Sequence, residues 1–325
     1  MDGPSTVLGR SPRGTRNKRL QRRAPWVWVF LLICGGFAPL LSPRSGSSTV
    51  PSFDRGALPA RWTDQSSDCE HAPTFRLHEY NPTFFILRQS GCTHFEKPFL
   101  YLLFGSKEAL LVDTGARGAD VSETVGELVR RKAANEGKPP LPLLVIHSHG
   151  HGDHTAGDAA LRGKAATRVI GAQAQAIMQF FGLKSWPGET AQYDLGDRVL
   201  DILPIPGHEA ASVAIYDRRT GILLTGDTLY PGRLYVRDAR AFVESIDRLV
   251  NFTRAGGVAH VLGAHIENTR TPYLDYPEGT TFQPEEHALE LGRAHLLELQ
   301  EALRQMGHHL ERLTFRDFTV WPVVQ

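Results

Sequence analysis

The segment VIHSHGHGDHTAG at residues 145–157 concentrates side chains of the types that bind metal ions. It holds four of the 14 histidines of the 325-residue chain, and residues 149–154 have the spacing His-x-His-x-Asp-His. Neutral imidazole and carboxylate groups are good zinc ligands. Because side chains alternate along extended backbone and glycine permits tight turns, His149 and His151 can face one point while Asp153 and His154 face a second. The segment therefore predicts a metal site.

Three later residues share the context of this segment, because each ends an apolar run and has glycine close by. They are His208 in PIPGHEAAS, Asp227 in LLTGDTLY and His265 in LGAHIE. A lone histidine at the end of a strand is more often structural than a ligand. The repetition of one context at three predicted strand ends favours a shared site that includes all three residues.

With this ordered set of motifs, residues 75–270 resemble the metallo-β-lactamase superfamily of metallohydrolases. The resemblance is carried by VDTG, HSHGHGDH, PGH, TGDT and GAH, which occur in the order typical of that family. It implies an α+β fold, the four-layer αβ/βα sandwich, with a dinuclear metal site at one edge. The mixture of strands and helices in both halves of the chain favours the same architecture.

The resemblance also implies a role for each of the seven candidates. His149, His151 and His208 would bind one metal ion, and Asp153, His154 and His265 the other. Asp227 would bridge the two, and Asp153 and Asp227 would be the catalytic carboxylates. The implied cofactor is a pair of Zn²⁺ ions, with iron or manganese as alternatives, because imidazole and carboxylate ligands suit all three metals.

Two neighbouring residues receive other expectations. Asp113 matches the acid of the family's DTG motif, where the resemblance implies that it supports the histidine segment from behind the ligands. The alternative for Asp113 is an aspartate that starts a turn before Gly115. His147 stands where the family usually has an apolar residue, and we expect it to be structural.

Two metal ions can hold a hydroxide between them and polarise a carbonyl oxygen, which predicts a zinc-dependent hydrolase. Members of the family that hydrolyse antibiotics typically have Cys or Ser at position 227, whereas glyoxalase II-like and lactonase-like members have Asp. Asp227 therefore favours an ester-type bond (ester, thioester or lactone) in a small molecule. The alternatives are a β-lactamase and a mononuclear-iron enzyme of the persulfide-dioxygenase type, which would use His149, His208 and Asp227 alone.

Two predicted loops are candidates for substrate selection. The first follows Asp227 and carries Tyr230, Arg233, Tyr235 and Arg237, and the second is the Tyr- and Pro-rich stretch at residues 267–287. Arginine can bind a substrate carboxylate and tyrosine can donate a hydrogen bond to an oxyanion. For any single residue of this set, packing within the loop is the alternative.

The N-terminal segment predicts export. Seven Lys and Arg side chains lie within residues 1–23, the apolar run at residues 24–41 follows them, and residues 42–68 are rich in Ser, Pro, Gly and Arg. This order is typical of a signal peptide or a signal anchor at 1–41, a linker at 42–68 and a catalytic domain at 69–325. We therefore expect an exported, periplasmic or extracytoplasmic protein with a candidate membrane anchor.

The charge of the chain indicates which class of partner to expect, and its cysteines indicate a candidate disulfide. The formal net charge of the whole chain is +1, but acidic side chains outnumber basic ones after residue 23, and no basic stripe is present. Nucleic acid is therefore not an expected partner. The expected partner is a small-molecule substrate. In an exported protein Cys69 and Cys92 would either form a disulfide or remain two unrelated thiols.

Short apolar runs between turn residues predict strands, and longer segments with helical spacing predict helices. The predicted strands lie at 83–89, 98–105, 108–115, 140–149, 198–208, 259–265 and 312–323, with a hairpin at 212–227. The predicted helices lie at 119–137, 238–256 and 284–307.

Overall fold

The computed structural model describes residues 52–62, 68–307 and 309–323. The predicted signal segment at 1–41 lies outside the described residues, so its role in export stays a prediction. Within the described ranges, every helix is too short or too polar to cross a membrane.

Fifteen strands and six helices make up the described part of the chain. The strands are β1 (Phe75–Asn81), β2 (Phe84–Gln89), β3 (Phe99–Phe104), β4 (Ala109–Val112), β5 (Leu143–Ile146), β6 (Thr167–Val169), β7 (Ala191–Asp194), β8 (Val199–Pro204), β9 (Val213–Asp217), β10 (Ile222–Gly226), β11 (Arg233–Val236), β12 (His260–Gly263), β13 (Glu290–Leu291), β14 (Leu313–Thr314) and β15 (Thr319–Pro322). The helices are α1 (Val121–Glu136), α2 (Gly152–Thr155), α3 (Asp158–Leu161), α4 (Ala174–Phe181), α5 (Ala239–Gly256) and α6 (Arg293–Met306).

Two six-stranded sheets pack face to face. The first sheet has the strand order β1-β2-β3-β4-β5-β6, and the second has the order β13-β12-β10-β9-β8-β7. Alternate residues of β2 and β3 point into the space between the sheets, where Phe84, Ile86 and Tyr101 meet Leu200 and Ile215 of the second sheet. Side chains alternate along a strand with period two. The intervening residues of the same strands therefore face away from this core.

Helices cover both outer faces. Val121, Val125 and Leu128 of α1 pack against the outer face of the first sheet, and α5 and α6 pack against the outer face of the second. Because both faces of each sheet are covered, the central strands are continuous apolar runs, as the sequence predicted. The order helix, sheet, sheet, helix confirms the α+β, four-layer αβ/βα sandwich.

The helix ends have local causes in the sequence. The Asp120 carboxylate accepts a hydrogen bond from the backbone N–H of Ser122 at the start of α1, and Gly137 ends this helix with a φ of 63°. Aspartate is a preferred N-cap residue, and glycine adopts the left-handed conformation at little cost. Asp238 caps α5 in the same way by accepting from the N–H of Ala241.

Three predicted elements differ from the structure. The strand predicted at 312–323 is an antiparallel pair, β14 and β15, and a helix and a loop also differ. The predicted helix at 284–307 begins only at Arg293, because residues 290–291 pair with β12 as strand β13 and Gly292 precedes the helix. The stretch after Asp227, predicted as a loop, contains strand β11, which pairs with β15 in a third sheet of order β11-β15-β14. The differences in the helix and the loop arise from pairing between segments that are distant in the sequence.

The N-terminal part of the described chain is tied to the sandwich. Residues 52–62 lie against the domain, where the buried Trp62 packs edge-on against Phe99 with ring centroids 4.9 Å apart. Cys69 and Cys92 form a disulfide. Of the two states open for these cysteines from the sequence, the structure therefore has the bonded one, which links the segment before β1 to the turn between β2 and β3.

Candidate metal centre

The candidate metal ligands lie where strands of both sheets end at one edge of the sandwich. Strands β4 and β5 of the first sheet run parallel, as do β10 and β12 of the second. The carboxyl ends of parallel neighbours lie at the same edge of a sheet, which brings Asp113 to the histidine segment and Asp227 to His265. A hydrogen bond of 2.8 Å from the N–H of Val213 to the carbonyl of Ser148 joins the two sheets at this edge.

The first group of donors consists of His149, His151, His208 and Asp227, whose donor atoms lie within 4.8 Å of one another. The Nδ1 of His151 lies 2.9 Å from the Nε2 of His149 and 3.1 Å from the Nε2 of His208. The Oδ2 of Asp227 lies 3.8 Å from the Nε2 of His149 and 3.5 Å from that of His208.

The second group consists of Asp153, His154, Asp227 and His265. The Oδ2 of Asp153 lies 3.2 Å from the Nε2 of His154 and 3.3 Å from the Nε2 of His265. The Oδ1 of Asp227 lies 3.5 Å and 3.3 Å from the same two nitrogens. Asp227 thus turns Oδ2 to the first group and Oδ1 to the second. The structure brings all seven predicted residues together, in the two groups that the family resemblance implied. Their binding of metal stays a prediction.

Hydrogen bonds on the far side of four imidazoles fix which nitrogen can face a metal. The Nδ1 atoms of His208 and His265 donate to the backbone carbonyls of Tyr235 and Glu96, at 2.8 and 3.0 Å. A carbonyl only accepts, so each Nδ1 carries the proton and, in a neutral ring, each Nε2 has a free lone pair. The same order holds for His154, whose Nδ1 donates to the Asp113 carboxylate at 2.9 Å.

His149 is oriented through a serine. The Ser148 hydroxyl donates to the Oδ2 of Asp113 at 2.8 Å and lies 3.1 Å from the Nδ1 of His149. Because the hydroxyl proton is directed to Asp113, the oxygen accepts from the imidazole Nδ1–H. The Nε2 of His149 therefore also presents its lone pair to the first group.

The donor set fits a pair of metal ions. Tetrahedral zinc with ligands at about 2.0–2.1 Å holds its ligand atoms roughly 3.3 Å apart, which is close to the spacings within both groups. Two buried polar atoms at the junction of the groups, the Nε2 of His154 and the Oδ1 of Asp227, have no hydrogen-bond partner. Buried polar atoms are rarely left without a partner, and a cation would satisfy both.

The pKa shifts differ between the two groups in the metal-free chain. Burial lowers the pKa of His149, His151 and His208, which favours neutral imidazoles in the first group. Burial also disfavours charge on His154 and His265, but the surrounding carboxylates outweigh it and raise the pKa of both. Metal ligands must be deprotonated, so metal binding at the second group would release protons.

Asp113 supports the histidine segment as the sequence predicted. Its Oδ1 accepts from the N–H of Ser148 at 2.7 Å, and its Oδ2 accepts from both the Ser148 hydroxyl and His154. The residue is buried and has a φ of 67°, in the left-handed region that non-glycine residues rarely occupy. Asp113 thus fixes the orientation of His154 directly and that of His149 through Ser148.

His147 lies outside both donor groups. Its Nε2 is 2.8 Å from the Oδ1 of Asp158, and its side chain is fully buried. This contact joins β5 to α3, which agrees with the structural role predicted for His147.

A cavity of about 520 Å³ opens over the donors, which line its floor with His151, Asp153, His208, Asp227 and His265. Its walls come from the turn before β3, from β11, from the stretch after β12 and from the end of β15. They include Phe95, Lys97, Tyr235, Glu267, Thr280 and Trp321. A site of this size can hold a small-molecule substrate against the donors.

Two of the residues predicted to select the substrate, Arg233 and Tyr230, are engaged by other groups of the protein. Arg233 lines the cavity but donates to Asp275 at 2.8 Å, to the Tyr276 carbonyl at 2.8 Å and to the Tyr235 hydroxyl at 3.1 Å. It also lies 3.1 Å from Glu267, so packing within the loop accounts for this arginine. Tyr230 is buried and its hydroxyl donates to the carbonyl of Arg233.

Several contributors to the site carried no signal in the sequence. The carbonyls of Glu96 and Tyr235 are backbone groups, which any residue type supplies. Ser148 lies between two histidines, and its type alone does not show that it contacts Asp113. Trp321 reaches the cavity only because β15 pairs with β11.

A model of the metallo-beta-lactamase superfamily matches residues 97–267, more than half of the chain. The matched segment contains all seven donors. The chain therefore belongs to the metallo-β-lactamase superfamily, and its relatives are hydrolases.

Among its relatives is the acyl-coenzyme A thioesterase MBLAC2 of Bos taurus, 27% identical over 202 residues that cover 51% of this chain and 72% of the relative. The hydroxyacylglutathione hydrolase of Anaeromyxobacter dehalogenans (strain 2CP-C) is 33% identical over 132 residues, which cover 41% of this chain and 46% of that protein. A solved metallo-beta-lactamase from Pontibacter korlensis aligns with a TM-score of 0.48 and 18% identity, over 71% of this chain and 99% of its own.

Proposed function

We propose that this protein is a two-zinc hydrolase that cleaves the thioester bond of small acyl thioesters. The observation that carries the proposal is the position of Asp227, with one oxygen toward each group of donors at the floor of the cavity. The two relatives named above are an acyl-coenzyme A thioesterase and a hydroxyacylglutathione hydrolase, and both names describe cleavage of an acyl group from sulfur.

The reaction consumes one water molecule. A carbon–oxygen bond forms between water and the acyl carbon, the carbon–sulfur bond breaks, and the products are a carboxylic acid and a thiol. When bound, two zinc ions supply Lewis-acid polarisation of the carbonyl oxygen and lower the pKa of water so that hydroxide forms near neutral pH.

The chain's own residues position these reactants. In the metal-free chain, interactions with His154 and His265 outweigh the effect of burial and hold the pKa of Asp153 well below its usual range. In the loaded site the positive charge of the metal would replace that of the two imidazoles and keep Asp153 ionised. An ionised carboxylate at the cavity floor accepts a hydrogen bond from the attacking water and orients it toward the acyl carbon. The carboxylates of Asp153 and Asp227 also offset part of the metal charge.

The second donor group weighs against the mononuclear-iron alternative. That enzyme type would leave Asp153, His154 and His265 without metal, yet His154 and His265 are oriented from behind like the ligands of the first group. Asp227 in place of Cys or Ser weighs against the β-lactamase alternative.

An extracytoplasmic location is part of the proposal. The Cys69–Cys92 disulfide supports it, because disulfides persist mainly in oxidising compartments. The basic segment and the apolar segment within residues 1–41 also support export from the cytoplasm.

The test is a substrate panel on the zinc-loaded chain: butyryl-coenzyme A, S-lactoylglutathione, phenyl acetate, a γ-lactone and a β-lactam. Release of free thiol from either thioester, abolished by a chelator and restored by zinc, is the expected result. Turnover of the β-lactam without turnover of either thioester would contradict the proposal.

A further inference from the structure

The outer wall of the cavity is formed by the third sheet, in which β14 and β15 lie beyond the segment that the family model matches. We propose that this wall, centred on Trp321 and Tyr235, binds the apolar acyl chain of the substrate and makes the enzyme prefer longer acyl groups. The inference rests on the proposed thioester hydrolysis. It goes further by stating which part of the substrate this wall recognises.

Strand register places the two aromatic side chains together. Strands β11 and β15 run parallel, with Leu234 opposite Val320 and Tyr235 opposite Trp321. Leu234 and Val320 are buried in the core against α5 and α6. Side chains alternate between the faces of a sheet, so Tyr235 and Trp321 lie on the opposite face, which lines the cavity.

Trp321 is held in place without being buried. Its ring centroid lies 5.8 Å from that of Tyr235, and the guanidinium carbon of Arg312 lies 3.5 Å from the centroid of the indole ring. A cation over an aromatic face is an attractive contact. The indole is therefore positioned before a ligand arrives. Trp321 is only half-buried, and its exposed part lines the cavity. Such preorganisation lowers the entropy cost of binding.

The apolar part of the third-sheet wall is the end of β15, where Trp321, Pro322 and Val323 follow one another in the lining. On the β11 side this stretch is bordered by Arg237 and by Arg233, whose guanidinium is engaged by Asp275 and Glu267. The turn before β3 contributes one apolar residue, Phe95, next to the polar Glu96 and Lys97. A thioester whose carbonyl carbon lies at the metal centre extends two arms from it. The hydrocarbon arm gains from apolar burial and the polar thiol arm from hydrogen bonding, so the acyl chain belongs on the third sheet.

The experiment compares acetyl- with octanoyl-coenzyme A in the zinc-loaded full chain. Each methylene buried against apolar surface strengthens binding up to roughly fourfold, so the octanoyl-to-acetyl ratio of kcat/KM should be well above one in the unaltered chain. Trp321→Ala should reduce this ratio about tenfold or more, and Trp321→Phe should reduce it less. Leu313→Ala is the matched control, because Leu313 is an exposed residue of the same sheet outside the cavity lining.

A binding measurement gives a second readout that needs no turnover. Calorimetry with the thioether analogues S-ethyl- and S-octyl-coenzyme A should show the same loss of chain-length discrimination in Trp321→Ala. If Trp321→Ala does not fold, Val323→Ser on the same wall replaces it. This variant should also lower both the octanoyl-to-acetyl ratio of kcat/KM and the octyl-to-ethyl ratio of binding affinity.

The outcomes separate the two proposals. Equal losses for short and long chains in Trp321→Ala, or the same change in Leu313→Ala, would overturn the acyl-chain assignment while hydrolysis itself stands. If the unaltered chain hydrolyses neither thioester, the proposed function fails and the acyl-chain assignment falls with it.

Discussion

Asp227 is the residue on which the candidate centre depends most, because its two carboxylate oxygens face different donor groups. Asp227→Asn keeps the shape of the side chain but removes one negative charge from between the two donor groups, where the two proposed cations would lie. We expect a loss of bound metal and a fall in kcat of about 100-fold or more, the size typical of disturbed ligand shells. Elemental analysis and thioester turnover of the purified variant measure both effects.

Asp158→Asn is a matched control for this change. Asp158 also contacts a buried histidine of the same segment, His147, but lies outside both donor groups. We expect Asp158→Asn to keep its metal and its kcat within about threefold. Asp227→Asn with both metals and unchanged turnover would show that the bridging assignment is wrong.

Asp113 tests whether orientation of the ligands matters as much as their presence. Asp113→Asn preserves the φ of 67°, because asparagine tolerates the left-handed conformation, but it removes the charge that faces His154. We expect metal affinity to weaken about 10- to 100-fold, measured by competition with a chelator of known affinity. An affinity equal to that of the unaltered chain would contradict the role assigned to Asp113.

At the residue scale, the sequence predicted which side chains meet at this edge of the sandwich, but only some of the groups that orient them. The seven donors and Asp113 are histidines and aspartates at the ends of apolar strands. Both the residue type and the position can be recognised in a sequence. The carbonyls of Glu96 and Tyr235 fix two imidazoles through backbone atoms, and residue type carries no information about them.

At the element scale, strands buried on both faces were predicted because they are continuous apolar runs bounded by turns. Strand β11 was missed because its partner β15 lies near the end of the chain. The start of α6 was misplaced because residues 284–292 share the amphipathic composition of the helix, while their pairing with β12 is a tertiary effect.

The turn between β14 and β15 is anchored by one carboxylate. Asp317 lies 3.0 Å from the Nε2 of His287 and 3.1 Å from the Nε2 of His295. Loss of two such contacts costs roughly 1–3 kcal/mol, so Asp317→Ala, which removes both, should lower the Tm by about 3–8 °C in a thermal scan.

The control for this prediction is the exposed pair of Lys107 and Asp194, 3.5 Å apart. An exposed pair contributes little, and Asp194→Asn should change the Tm by no more than about 1–2 °C. Equal shifts in the two variants would mean that Asp317 does not anchor the third sheet.

At the scale of the whole molecule, the sequence predicted the superfamily, the sandwich and one shared site, because the motifs occur at fixed places in a fold that brings strand ends together. The cavity wall was not predictable in the same way. It combines β11, the stretch after β12 and β15, the last strand of the described residues, and only the folded topology unites them.

The central claim is that two metal ions act together in thioester hydrolysis, and a zinc titration of the metal-free chain tests it most directly. Butyryl-coenzyme A hydrolysis is followed as zinc is added, in the unaltered chain and in His265→Ala. The account predicts that full turnover requires about two equivalents of zinc and that His265→Ala, which lacks a donor of the second group, stays largely inactive. Full turnover at one equivalent, unaffected by His265→Ala, would contradict it.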